Sequence, residues 1–256
     1  MKANIWQEHA KFRLDCGAGR EINYTCHMNP EFRNSLDSAL ATAATPQRGA
    51  AMRAYMRNQF DFLGVGTPQR RLAAKHLLMQ LKGSGADNLL LYAFELWALP
   101  QREYQYVAID LLAMHYKELD LAYIPRLLEL AQRKSWWDTV DALASVISDV
   151  LRYRHDGMDQ AVKHENMWVR RIALLHQLGW RDKVDTDRLF NYALSLAHEK
   201  EFFIQKAIGW ALRDYARHAP EAIRAFTLNA KQRLPALSYR EASKHLSAIE
   251  GVNNFV

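Results

Sequence analysis

The sequence predicts an all-α protein built as an α-solenoid, and three observations carry that reading. Apolar residues recur at spacings of three and four from Phe32 to the C-terminus, strand-like alternation is scarce, and the periodic segments are joined by short connections without a Gly/Ser-rich linker. Hydrophobic residues make up 49% of the 256, enough for a core and too many for a disordered or collagen-like chain. Short consecutive helices with tight turns suit a bundle or a solenoid of stacked pairs, and a solenoid lines a concave surface with one row of helices. The run Trp97-Ala98-Leu99-Pro100-Gln101-Arg102-Glu103 does not recur and no fixed period exists, so degenerate HEAT-like pairs fit better than a strict array.

Asn29-Pro30-Glu31 is a helix start, which places a first helix over 31–42 and a second over 47–62. In Phe62-Leu63-Gly64-Val65-Gly66-Thr67-Pro68 the glycines end that helix, Thr67 is suited to cap the next, and Pro68 to open it, where a missing N–H costs nothing. Periodicity then predicts helices over 68–82, 87–97, 101–116, 121–133 and 136–150. A weaker segment near 156–163 precedes helices over 167–178, 186–198, 202–217, 220–231 and 238–248. Residues 1–27 cluster Cys, Gly and Asn without a sustained period, so they read as an N-terminal extension or an upstream-translated stretch, with a single domain over 28–256.

The 34 Lys+Arg against 28 Asp+Glu give a net charge of +6, unevenly spread: residues 1–150 hold 17 against 16, residues 151–256 hold 17 against 12. Such an excess suits a polyanion but is also ordinary, so the placement of the charges has to decide. No apolar run approaches the roughly 18 residues of a membrane span, and the first residues lack the apolar core of a signal peptide, so a cytoplasmic protein is expected. Cys16 and Cys26 form neither a disulfide scaffold nor a Cys-x-x-Cys site, and the ten histidines contain no His-Glu-x-x-His pair. Gly17-Ala18-Gly19 and Gly83-Ser84-Gly85 lack P-loop context, and no nucleophile elbow occurs, so no metal and no cofactor are expected.

Two constellations stand out. In Ser135-Trp136-Trp137-Asp138-Thr139-Val140-Asp141, helical spacing puts Trp136, Val140, Leu143, Ala144 and Ile147 on the core face and Trp137, Asp141, Ser145 and Ser148 on another. Ser135 and Asp138 have capping-box spacing, which leaves Asp141 as the carboxylate without a structural reason. In Glu201–Tyr215 the core stripe is Ile204, Ala207, Ile208, Ala211 and Tyr215, while Lys206, Trp210, Arg213 and Arg217 share a basic face. Gly209 costs about 1 kcal/mol in a helix interior relative to Ala, which makes sense where something packs against that backbone. An aromatic beside a carboxylate and another among cations suit a cationic or sugar-phosphate ligand; equally, both tryptophans could simply pack between neighbouring helices. Arg170-Arg171 reads as a solvated pair or a phosphate contact.

Lys134–Asp141 and Lys200–Trp210 resemble signature segments of the AlkD-type DNA alkylation repair family, HEAT-like-repeat glycosylases that release positively charged alkylpurines. The resemblance runs from about Met28 to Leu246 and includes Tyr55-Met56 with Phe62-Leu63-Gly64, Leu99-Pro100 with Arg102-Glu103, Met167-Trp168 with Arg171, and Leu237-Ser238 with Arg240-Glu241-Ala242. It implies a catalytic cleft of Trp137, Asp141 and Trp210, with Arg171 at a backbone phosphate and Tyr55 near the unmodified strand. Lys206, Arg213, Arg240 and Lys244 complete the expected DNA-binding set on a concave basic face, and Phe202 and Phe203 are expected to support packing. Where the family carries a glutamine in the Gly-x-Thr-Pro turn, this sequence has Gly66, and residues 1–27 have no counterpart. The implied activity is monofunctional hydrolysis of 3-methyladenine or 7-methylguanine from duplex DNA by a monomer. The competing readings are a DNA-binding relative without chemistry and a protein-binding solenoid.

Overall fold

The computed structural model describes residues 27–246, and the regular structure there is helical. Its α-helices are α1 (Pro30–Ala43), α2 (Pro46–Tyr55), α3 (Thr67–Met79), α4 (Ala86–Ala98), α5 (Arg102–Met114), α6 (Ile124–Ala131), α7 (Trp137–Leu151), α8 (Met158–Ala161), α9 (Met167–Leu175), α10 (Thr186–Ser195), α11 (Phe202–Ala216), α12 (Pro220–Asn229) and α13 (Ala236–Ala242). Helices α1, α3, α5, α7, α9, α11 and α13 pack successively into one row; α4 and α6 pack on α5 and α7, and α8, α10 and α12 on α9, α11 and α13. This is the expected solenoid of helix pairs, and one hydrophobic cluster runs through it from Met28 to Leu246. Among the described residues no helix is long and apolar enough to cross a membrane.

The apolar spacing dictates which faces are buried. Helix α1 starts where Asn29 Oδ1 accepts the Glu31 N–H, has Pro30 in its first turn, and buries Phe32, Leu36 and Leu40, one per turn. Met28 is buried just before it, with its N–H on Glu95, and the Asn29 N–H donates to the Tyr92 hydroxyl. Apart from His27, which bonds Glu95, the expected extension over residues 1–27 lies outside the described residues, as do Cys16 and Cys26.

Several boundaries differ from expectation for identifiable reasons. The helix expected over 47–62 stops at Tyr55, because Arg57 and Asn58 adopt left-handed backbone (φ 53° and 57°). Beyond that turn, the fully buried Glu103 accepts the N–H groups of Leu63, Gly64 and Val65 at 3.0, 2.8 and 3.1 Å, which satisfies the backbone of the connection into α3. Gly64, at φ 90°, has Thr45 O only 2.1 Å from where a Cβ would stand, so no larger residue fits. Gly66, rather than Thr67, occupies the cap of α3, with Pro68 in the first turn. The helix expected from 121 begins at Ile124, since Asp120 accepts the Ala122 N–H and the chain first makes a 3-10 turn over Leu121–Tyr123. The weak segment near 156–163 yields only the single turn α8. The last expected helix becomes α13 followed by a 3-10 turn over Ser243–His245, and residues 247–248 lie outside the described residues.

Ion pairs tie successive helices of the row. Arg70 of α3 bonds Asp110 of α5 at 3.1 Å, and Arg102 of α5 bonds Asp138 of α7 at 2.7 Å. Arg102 is fully buried; it also donates to Lys134 O and Thr139 Oγ1, and its guanidinium carbon lies 3.8 Å from the Phe60 ring centroid. Desolvating such a charge is tolerable only because four of its five N–H groups are bonded, two of them to the Asp138 carboxylate.

Candidate active site

Helix α7 starts at Trp137, with Trp136 extended at the cap position and no side chain capping. The expected capping box does not form. Ser135 instead donates to Ala131 O at 2.7 Å, and Asp138 is structural for another reason: it pairs with Arg102 and accepts the Tyr106 hydroxyl at 2.6 Å. Gripped from α5, the first turn of α7 fixes which way its next residues project.

Val140, Leu143, Ala144 and Ile147 are buried as the spacing predicts. Trp136 is half-buried against Trp168 and Phe203, at ring separations of 6.1 and 5.3 Å, and its buried Nε1–H has no acceptor. Trp137 is half-buried on the other side, in an edge contact 6.1 Å from Tyr55. Tyr55 is 71% exposed, so these two rings meet at the surface.

Asp141 keeps 26% of its side chain exposed, and both its oxygens accept 2.7 Å bonds from the Nε and Nη2 groups of Arg171. This bidentate pair is the strong, orientation-fixing kind. Arg171 itself is 1% exposed; its Nη1 donates to Phe203 O, and its guanidinium carbon lies 5.3 Å from the Trp210 ring centroid. Arg171, expected at a phosphate, is thus placed as the clamp of Asp141. Two of its five N–H groups remain outside these bonds, but the side chain is too buried to offer them to a phosphate. Arg170 is no solvated neighbour either: it forks onto Glu199 at 2.7 and 2.8 Å and donates to the carbonyls of His164 and Glu165.

On α11, Ile204, Ala207, Ile208 and Ala211 are buried as expected, while Tyr215, expected in the same stripe, is only half-buried against the core; Lys206, Trp210 and Arg213 are half-buried and Arg217 is exposed on the other face. Phe203 packs as expected, but Phe202 is 56% exposed and touches Phe203 edge-on at 5.4 Å, so it does not support the core. Close packing at Gly209 is also found: a Cβ there would stand 2.4 Å from the Glu241 Cβ and 3.0 Å from Ser238 O. Glu241 has no role in the sequence reading. It is 3% exposed and accepts bonds from Lys206, Arg213 and Lys244, whereas Arg240 points to solvent. Burial opposes its ionisation, but hydrogen bonds and Coulomb attraction from Lys244 and Lys206 prevail and hold its carboxyl down to about 2. Its signal in the sequence was indirect, a helix-interior glycine calling for a close neighbour.

A cleft of about 810 Å³ lies elsewhere, lined by Asp159, Lys163, Arg170, Asn191, Tyr192 and Glu199 among others; Arg170 apart, it holds none of the expected site residues.

The family model for the DNA alkylation repair enzyme matches residues 36–246. A solved structure described as a predicted DNA alkylation repair enzyme from Enterococcus faecalis is 32% identical, with a TM-score of 0.74, covering 80% of this chain and 97% of its own. AlkD2 from Streptococcus mutans is similar in fold, at 18% identity and a TM-score of 0.56, over 70% of this chain and 89% of its own. No curated protein matches.

Proposed function

The chain belongs to the DNA alkylation repair enzyme family, and from that premise we propose that it is a monofunctional glycosylase releasing positively charged alkylpurines, 3-methyladenine or 7-methylguanine, from duplex DNA. The supporting observation is a connected group drawn from four helices. Tyr55 of α2 meets Trp137 of α7, Trp137 neighbours Asp141 one turn on, Arg171 of α9 grips Asp141, and Trp210 of α11 borders Arg171.

The chemistry suits this group. Alkylation at a ring nitrogen leaves a cationic base that departs without general-acid help, so stabilisation belongs at the sugar, which becomes oxocarbenium-like. The C1′–N bond breaks with its electron pair going to the base, which leaves neutral. Asp141, oriented by Arg171, offers its exposed edge to the positive charge growing on the sugar and orients the water whose oxygen bonds C1′; the water's proton passes to the carboxylate and then to solvent. Trp137 and Trp210 flank the sugar, Arg171 acts through Asp141, and Tyr55, Lys206, Arg213, Arg240 and Lys244 hold the backbone of the duplex. Water is the nucleophile, no lysine Schiff base forms, and the product is an abasic site. A single domain acting as a monomer, with no metal or cofactor, completes the proposal.

The test is release of free methylated purine from alkylated duplex DNA. Asp141→Asn should cut excision by roughly 100-fold or more while leaving DNA affinity near wild type. Turnover close to wild type in that variant would take Asp141 out of the chemistry. DNA binding by the wild type without any release would leave a DNA-binding repair protein of another activity.

A further inference from the structure

The mechanism above has no use for Glu241, yet the fold goes to some length to put a carboxylate there. The side chain is buried on α13, seated where Gly209 leaves α11 without a Cβ. Lys206 and Lys244 donate to its Oε1 at 2.9 and 2.8 Å, and Arg213 to its Oε2 at 2.8 Å. One cation would satisfy a buried carboxylate; three leave the cluster with a net charge of +2. The cations remain open to solvent, with side chains 21%, 26% and 47% exposed for Lys206, Arg213 and Lys244. The Lys206 ammonium also lies 5.3 Å from the Trp210 ring centroid, so the cluster borders the proposed cleft.

We propose that Glu241 is a positioning residue that gathers Lys206, Arg213 and Lys244 into a preformed site for DNA backbone phosphates beside Trp210. This rests on the reading of the protein as one that acts on DNA. Each cation spends one bond on Glu241 and keeps further N–H groups, two on each lysine and four on the arginine, to offer to phosphate oxygens. Without the carboxylate, three like charges would spread apart, and each flexible side chain would have to be ordered when DNA arrives. The arrangement therefore trades one unit of attraction for order. An acid placed merely by chance among DNA-facing cations would repel phosphates, so the sign of its effect separates the two cases.

The experiment measures affinity for a methylated duplex oligonucleotide from about 50 to 200 mM salt, with melting curves, for wild type, Glu241→Gln, Lys206→Gln and the double variant. Glu241→Gln raises the net charge by one, yet it should weaken binding about tenfold and flatten the logarithmic salt slope by about one to two. Lys206→Gln should cost affinity in the wild type and little in the Glu241→Gln background. Equal or tighter binding by Glu241→Gln, with an unchanged or steeper slope, would overturn the proposal while leaving the DNA reading intact. Should Glu241→Gln melt below the assay temperature, Lys206→Gln and Arg213→Gln carry the test: each should lower affinity and flatten the slope by about one, and wild-type values in both would overturn it. Wild-type protein that fails to bind duplex DNA would sink the DNA reading and this inference together.

Discussion

Replacing Gly209 by alanine sets two opposing effects against each other at one position. Alanine is the better helix former by about 1 kcal/mol in a helix interior, so on propensity alone the variant should be more stable. The new Cβ, however, would stand 2.4 Å from the Glu241 Cβ and 3.0 Å from Ser238 O. Neither atom can rotate away, since one is fixed to the backbone of α13 and the other belongs to it. Ordinary contact between carbons begins near 3.5 Å, so α13 must retreat from α11 by about 1 Å. Overpacking of this kind costs about 1–3 kcal/mol, which leaves a net loss between about zero and 2 kcal/mol. In a domain of this size each kcal/mol moves the melting temperature by about 2–4 °C, within reach of calorimetry. The same retreat carries Glu241 away from Lys206 and Arg213, so DNA affinity should fall more than stability does. A melting temperature raised by about 2–4 °C with unchanged DNA affinity would show that α13 yields freely, and the argument from close approach would fail.

Two further outcomes follow from buried polar groups. Arg102→Met leaves Asp138 in the first turn of α7 without its ion partner and should cost about 3–5 kcal/mol in urea unfolding; a midpoint near wild type would remove Arg102 from any part in holding α7. His176 is fully buried, bonds Ala173 O and faces His155 Nδ1 at 2.9 Å, and burial lowers its pKa from 6.5 to about 4. The unfolded chain therefore takes up this proton first: the stability His176 confers is complete above about pH 6.5 and is lost as pH falls from there through 4, by at most about 1.4 kcal/mol per unit. His176→Gln should flatten that fall, and unfolding curves whose pH dependence parallels wild type would refute the assignment.

The row of helices was legible because burial imposes the spacing: Phe32, Leu36 and Leu40, or Val140, Leu143 and Ile147, announce their faces without any neighbour being known. So was the oddity of Asp141, since a carboxylate with no local partner invites a question. What could not be read was the partner itself. Arg171 lies 30 positions from Asp141, and nothing local distinguishes it from Arg170, which serves Glu199 instead. The end of α2 was missed for a local reason, because Arg57 and Asn58 take left-handed backbone that their residue types do not announce. Local chemistry predicted a capping role for Asp138, and the fold overrode it with a buried arginine. For Asp141 and Asp138 the error lies in long-range pairing, which a single sequence does not encode in its spacing.

Those pairings change how the net charge of +6 bears on DNA. Charge counting treats every lysine and arginine as available, yet Arg171, Lys206, Arg213 and Lys244 each bond a carboxylate in the structure. Were attraction the governing quantity, Asp141 and Glu241 would be defects, each cancelling a cation on the face proposed to meet phosphates. Both instead hold cations next to Trp210, Arg171 at 5.3 Å and Lys206 at 5.3 Å from its ring centroid. A sugar-phosphate chain that must be held with its anomeric carbon against one carboxylate gains more from donors in fixed positions than from a stronger diffuse field, because misplacement by about 1 Å can cost a hundredfold in rate. On this view the acids are what make a modest basic excess sufficient. Substitutions that add a further cation to this face while leaving Asp141 and Glu241 in place should raise DNA affinity and leave the rate of base release unchanged.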